Sequence, residues 1–161
     1  MRMKLLALIP GLCLLLTGCY SFSGSTLPAH LRTLRIHAVE NRTLESSLPD
    51  RILRGLQDGF RSRSNLRQVN GAADAELFGT VTQYSHEPQS TAGSSVTTWR
   101  VDILFKAVFI DRVRGDTLYS DNGIPGYGYY SPDAGETEET GRAKAIDALV
   151  KVVLDNTVSA W

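Results

Sequence analysis

Between Trp99 and Ile110 the chain alternates without a break. Trp99, Val101, Ile103, Phe105, Ala107 and Phe109 take one side, and Arg100, Asp102, Leu104, Lys106, Val108 and Ile110 the other. Successive side chains of a strand point to opposite faces, so a period of two held this long reads as a strand and not as a helix. The first set is wholly apolar and has to face a core. The fold is thereby committed to a sheet with one buried face, and to other elements that cover it.

Two segments carry the pattern of such covering helices. Leu48, Ile52, Leu53, Leu56 and Phe60 recur with helical spacing behind the start signals Ser46, Ser47, Pro49 and Asp50, which predicts a helix over about Pro49 to Ser62. Gly55 and Gly59 each cost it about 1 kcal/mol relative to alanine, so packing has to hold it in place. Near the C-terminus Ala143, Ile146, Leu149, Val150, Val153, Leu154, Val158 and Trp161 trace one apolar stripe, with Arg142, Lys144, Asp147, Lys151 and Asp155 pointing outward. Glu136, Glu138 and Glu139 at its start resemble a carboxylate cluster, but the helix dipole already favours acids there.

Further strands are expected at Thr33 to Val39, with a turn at Glu40 to Thr43, and at Leu66 to Val69 as a short edge. A longer one runs from Ala75 to Tyr84, with Ala75, Leu77, Gly79 and Val81 opposite Phe78, Thr80, Thr82 and Tyr84. The polar stretch Ser85 to Thr98 reads as a long hairpin loop. A hairpin at Arg114-Gly115-Asp116 leads into Thr117 to Ser120, and Gly123 to Tyr130 reads as an irregular edge strand whose glycines mark a bulge. A second reading of its three tyrosines is an adaptable contact surface. The element order predicts an α+β fold: a two-layer sandwich with a small mixed or antiparallel sheet of four to five strands and both helices on one face. The other face is left to solvent or to a wet partner surface.

The N-terminus has the three-part layout of a secretory signal: Arg2 and Lys4, an apolar run from Leu5 to Leu16, then Leu16-Thr17-Gly18-Cys19. That run is shorter than the roughly 20 apolar residues of a spanning helix. The small residues before Cys19 form a lipobox, so residues 1–18 are expected to be removed and Cys19 to become the acylated first residue. Residues 19–30 would then be a lipidated tether, its extended stretch Tyr20 to Ala29 reaching at most roughly 35 Å, and residues 31–161 a single domain. Cys13 and Cys19 are the two cysteines, so the exported domain would contain no disulfide. Without Arg2 and Lys4 its formal charge is −2, and no basic face points to nucleic acid.

Little in the residues points to chemistry. His30, His37 and His86 show no metal-ligand spacing and are expected to be surface histidines. There is no Gly-x-Ser-x-Gly elbow and no phosphate loop. We expect no enzyme and no cofactor.

The run Gly18-Cys19-Tyr20-Ser21-Phe22-Ser23-Gly24-Ser25-Thr26-Leu27-Pro28, with Leu31-Arg32-Thr33-Leu34-Arg35-Ile36 and Glu40-Asn41-Arg42-Thr43, resembles the start of the LptE lipopolysaccharide-assembly lipoproteins in their Bacteroidetes-like form. Ala73 to Val81, Trp99-Arg100-Val101 and the ending Ala160-Trp161 are similar too. The resemblance implies an outer-membrane lipoprotein with a periplasm-facing lipid anchor. It would sit partly inside the lumen of the LptD β-barrel, the pair placing lipopolysaccharide in the outer leaflet. Arg100 and Lys106, on the face the helices leave open, are candidate lipopolysaccharide contacts. The competing readings are an outer-membrane adaptor of a secretion or cell-wall complex and, more distantly, a lipid hydrolase.

Overall fold

The computed structural model describes residues 27–92 and 95–158. The chain runs β1 (Thr33–Ile36), β2 (Glu40–Asn41), α1 (Leu48–Arg63), β3 (Arg67–Gln68), β4 (Ala75–Ala92), β5 (Ser95–Asp111), β6 (Thr117–Tyr130), a short 3-10 turn at Pro132–Ala134, and α2 (Glu138–Val158). The sheet is mixed, ordered β3-β1-β4-β5-β6, with β2 also pairing to β4. Strands β1, β2 and β3 pair in parallel; β4, β5 and β6 form an antiparallel meander. The α+β two-layer architecture is as the sequence predicts, with six strands because two of them are only two residues long. No described helix is long and apolar enough to cross a membrane.

Strand β5 is the spine of the sheet, paired on both sides, and Val101, Ile103, Phe105, Ala107 and Phe109 are all buried. Against them pack Leu48, Ile52, Leu56 and Phe60 of α1 and Ala145, Leu149, Val153 and Leu154 of α2. At about 25 cal/mol per Å² of apolar surface removed from water, this common core is the main force that holds sheet and helices together. Proline at the start of α1, Asp50 in its first turn and Arg61 and Arg63 in its last suit the helix dipole.

Glycine decides how closely the layers meet. A Cβ on Gly59 would run into the Leu154 side chain, so α1 and α2 approach each other there. On β6 the inward residues are Ile124, Gly126, Gly128 and Tyr130, and the outward ones Pro125, Tyr127 and Tyr129. A Cβ on Gly128 would overlap the Gly141 carbonyl oxygen and stand 2.7 Å from the Ala145 nitrogen, so α2 lies directly on the backbone of this edge strand.

Four expectations change. Strand β1 ends at Ile36, and Val39, not Ala38, is buried, because the chain breaks phase before re-pairing as β2 where a turn was expected. Residues 85–92 and 95–98 are not a loop: β4 and β5 continue as a long ribbon, with Ser85 opposite Asp102 and Ser90 opposite Thr98. Most of this ribbon extends past the helices, so the apolar alternation that reveals a strand is missing. A bulge between Val81 and Gln83 shifts β4 by one residue. Beyond it Gln83 and Ser85 face outward and Tyr84 turns to the helix side, the reverse of the face read for Tyr84. Finally, residues 27–30 do not hang free, since Leu27 packs on the core and His30 Nε2 is 2.5 Å from Asp111 Oδ2. Trp161 and Cys19 lie outside the described residues.

Gly128→Ala should destabilise the fold by about 2–3 kcal/mol, because overpacking here meets backbone instead of a yielding side chain. Gly71→Ala, with open space around it, should stay within about 0.5 kcal/mol. Urea unfolding of the two variants checks the contrast.

Candidate functional site

The helices cover one face of the sheet and leave the other bare. On that bare face, at the ribbon end, Arg100 of β5 sits beside Asp102, Nε to Oδ2 at 2.8 Å, and its guanidinium lies 5.8 Å from the centre of the Tyr127 ring. Register explains the grouping: Arg100 pairs with Tyr129 and Glu87, Asp102 with Tyr127 and Ser85. The hydrogen bond to Asp102 holds the Arg100 pKa above its ordinary value. Asp102 Oδ1 is buried and has no hydrogen-bond partner among the described residues. Together with Gln83, Ser85, Leu104 and Pro125 these residues line a shallow depression of about 260 Å³. Tyr127 and Tyr129, successive outward residues of β6, are 51% and 45% exposed.

Lys106 is also on this face and exposed, but it does not join Arg100. Six residues along a strand separate them by roughly 20 Å. The β6 bulge opposite Lys106, between the Phe105–Ile124 and Ala107–Asp121 pairs, leaves Lys106 without a cross-strand neighbour on that side. Gly123 to Tyr130 is an edge strand, as expected; its bulge lies at the start, by Gly123, while Gly126 and Gly128 pair in register and face α2, and of the three tyrosines Tyr127 and Tyr129 face out and Tyr130 is buried.

A second cluster, on the helix side of the same end, was not read from sequence. Arg142 reads as outward by helical spacing, yet its side chain is only 15% exposed. It contacts Glu138 at 2.8 Å, Glu45 at 3.3 Å and Glu139 at 3.3 Å, and its guanidinium lies 5.7 Å from the Tyr84 ring centre. Arg51 of α1 also pairs with Glu139. Tyr84 donates to Glu138 Oε1 at 2.6 Å. Burial, then this bond, push the Tyr84 phenol up to about 12, and the same bond keeps Glu138 ionised below the usual carboxylate range. The signal available in the sequence was the acid run at 136–139, read as a helix start; its hub, Arg142, had none.

The three histidines are partnered, not free on the surface. His30 meets the buried Asp111, His37 stacks on Phe78 at 4.1 Å beside Glu76, and His86 lies between Trp99 and Tyr130 with Nε2 2.7 Å from the Tyr130 hydroxyl. Among the described residues no three His, Cys, Asp or Glu side chains converge as a metal site.

Comparison with known proteins places this architecture. The model of the LptE lipopolysaccharide-assembly family matches residues 31–158, nearly the whole of the sandwich. The chain belongs to the LptE family. No curated protein matches it in sequence. Solved structures share its fold at low identity. The PelC dodecamer from Paraburkholderia phytofirmans superposes with a TM-score of 0.52 at 16% identity, covering 83% of this chain and 94% of that one. The hypothetical protein CT253 from Chlamydia trachomatis gives 0.54 at 8%, covering 79% and 98%. The uncharacterized lipoprotein B from Nitrosomonas europaea gives 0.50 at 15%, covering 79% and 84%. These likenesses show the fold alone.

Tyr84 offers a titration that isolates the second cluster. Its raised pKa means that the neutral phenol stabilises the fold in full below about pH 10, and that this contribution is lost as pH rises towards about 12. The ultraviolet difference between the native chain and Tyr84→Phe should show a phenolate appearing about two pH units above an ordinary tyrosine. The fall in stability over the same interval should be shallower in Tyr84→Phe.

Proposed function

We propose that this LptE-family chain is an outer-membrane lipoprotein, acylated on Cys19, that partners an LptD-type β-barrel and assists lipopolysaccharide assembly without chemistry of its own. The observation that carries the reading is the family match over residues 31–158. The bare sheet face supports it physically. A sandwich with one uncovered face, bearing exposed tyrosines and an arginine already paired with an acid, suits a large wet contact better than a catalytic pocket. Aromatic and arginine side chains are the residue types that dominate protein contacts.

On this reading Arg100 contacts a phosphorylated sugar headgroup at the ribbon end of the face, and Lys106 contacts a different part of the ligand or the barrel. A charge-assisted hydrogen bond from guanidinium to phosphate is roughly twice as strong as a neutral one. The lipid on Cys19 gives the membrane attachment, several acyl chains exceeding the two signals that stable anchoring takes.

Purification of the lipidated chain from its host in mild detergent should recover a large outer-membrane barrel protein, and depletion of the chain should lower surface lipopolysaccharide and leave that barrel misfolded. Recovery of soluble periplasmic or peptidoglycan-synthesis proteins instead would favour the adaptor reading. Arg100→Gln, which keeps a donor for Asp102, combined with Lys106→Ala should weaken lipopolysaccharide binding about tenfold or more. Unaltered binding together with normal barrel maturation would remove both residues from the site.

A further inference from the structure

A lipid on Cys19 would hold the protein at a membrane surface, and the sandwich has two chemically different ends that could rest there. We propose that the end carrying the β5–β6 hairpin lies on the anionic phospholipid surface that holds the lipid, through Arg32, Arg67 and Arg114 with Val113 at its tip. The inference rests on the lipoprotein reading above and adds an orientation and a ligand to it.

The first argument is where the chain enters the fold. Leu27 packs on the core, the Leu31 N–H donates to the Pro28 carbonyl at 3.0 Å, and His30 is tied to Asp111 at the last residue of β5. Eight residue steps separate Cys19 from Leu27, a reach of at most about 28 Å. The ribbon end of the sheet, at Trp99, is twelve residues further along β5, roughly 40 Å away. The short connection therefore brings the hairpin end, not the ribbon end, to the membrane.

The second argument is charge. Hydrogen bonds of the backbone N–H groups string the basic residues across this end: the Arg67 N–H donates to the Arg32 carbonyl at 2.9 Å, the Arg32 N–H to the Asp74 carboxylate Oδ2 at 2.9 Å, and the Arg112 N–H to the Asp74 carbonyl at 2.7 Å. Arg32, Arg67 and Arg114 are exposed and enter no ion pair among the described residues. The local acids are largely occupied. Asp74 accepts the Arg32 and Thr33 N–H groups, and Asp111, 1% exposed, accepts those of Val113 and Arg114. Asp116 is the opposing charge exposed in the hairpin. Val113, 60% exposed, is an apolar tip next to the unpaired Arg114, while Arg112 on its other side is paired with Glu76. The far end instead gathers Glu45, Glu136, Glu138 and Glu139, with Arg142, Lys144 and Arg51 paired to them. An anionic surface attracts the first end more strongly than the second.

Each basic residue near such a surface strengthens binding roughly fivefold, so three give about a hundredfold. The test uses the chain from residue 19 onward with Cys19→Ser, which removes both the lipid and the last cysteine. A single cysteine is then placed at Val113 or at Leu44, an exposed position before α1, and carries an environment-sensitive dye. With vesicles of phosphatidylglycerol in phosphatidylcholine, the dye at position 113 should shift to the blue and the dye at 44 should not. Salt, or pure phosphatidylcholine, should abolish the shift. Arg32→Glu, Arg67→Glu and Arg114→Glu together should lower vesicle affinity by at least about a hundredfold, with an unchanged urea midpoint. Arg42→Glu with Arg54→Glu, equally exposed but elsewhere, should lower it much less. No binding, a shift at 44, or equal losses in both variant sets would overturn the proposal. Palmitate labelling of the native chain against Cys19→Ser tests the anchor separately, because the vesicle assay contains no lipidated protein.

Discussion

The contact between α2 and the glycine side of β6 is the constraint on which the rest of the molecule depends. Gly128 and Gly141 allow helix backbone to lie on strand backbone, and any Cβ on Gly128 would prevent it. Because inward and outward residues alternate along β6, glycine on the inner side puts Tyr127 and Tyr129 on the outer side. One packing requirement thus produces both the closed core and the aromatic edge of the bare face. The same seating brings the start of α2 over Tyr84 and Tyr130, where Glu138 and Arg142 tie helix to sheet.

That tie matters because the ribbon of β4 and β5 extends beyond the helices. Long two-stranded ribbons have little stability of their own. Here the root of the ribbon is closed by stacked His86, Trp99 and Tyr130 and by the buried part of the Arg142 network. The helix side of this end is therefore structural, and the sheet side, with Arg100, Asp102 and the tyrosines, is free to meet a partner.

Much of the fold was legible because its signals are periodic. The alternation at Trp99 to Ile110, the stripe at Leu48 to Phe60, the stripe from Ile146 to Val158 and the inward set Ala75 to Val81 match the buried face found, while Ala145 takes the buried place at the start of α2 that the sequence pattern gives to Ala143. What escaped was whatever breaks a period. The bulge at Thr82 inverts the phase of β4 after it, and nothing in Thr82 announces it. The ribbon from Ser85 is polar on both faces, so it has no alternation to read. Arg142 occupies an outward helical position but is covered by the loop at Glu45, a contact between residues far apart in sequence. The histidines looked unremarkable for the same reason, since the partners of His30 and His86 lie 81 and 44 residues away. Of the candidate contacts, Arg100 and Lys106 were placed on the correct face, but their separation along it follows only from the register.

The central claim is that the bare sheet face, not the helix layer, meets the partner. Photo-cross-linking in living cells tests it most directly, with a photoreactive phenylalanine replacing Tyr127 on the sheet face or Lys151 on the exposed side of α2. The account predicts a cross-link to a large outer-membrane barrel protein from position 127 and none from 151. A barrel adduct from 151 alone would contradict it.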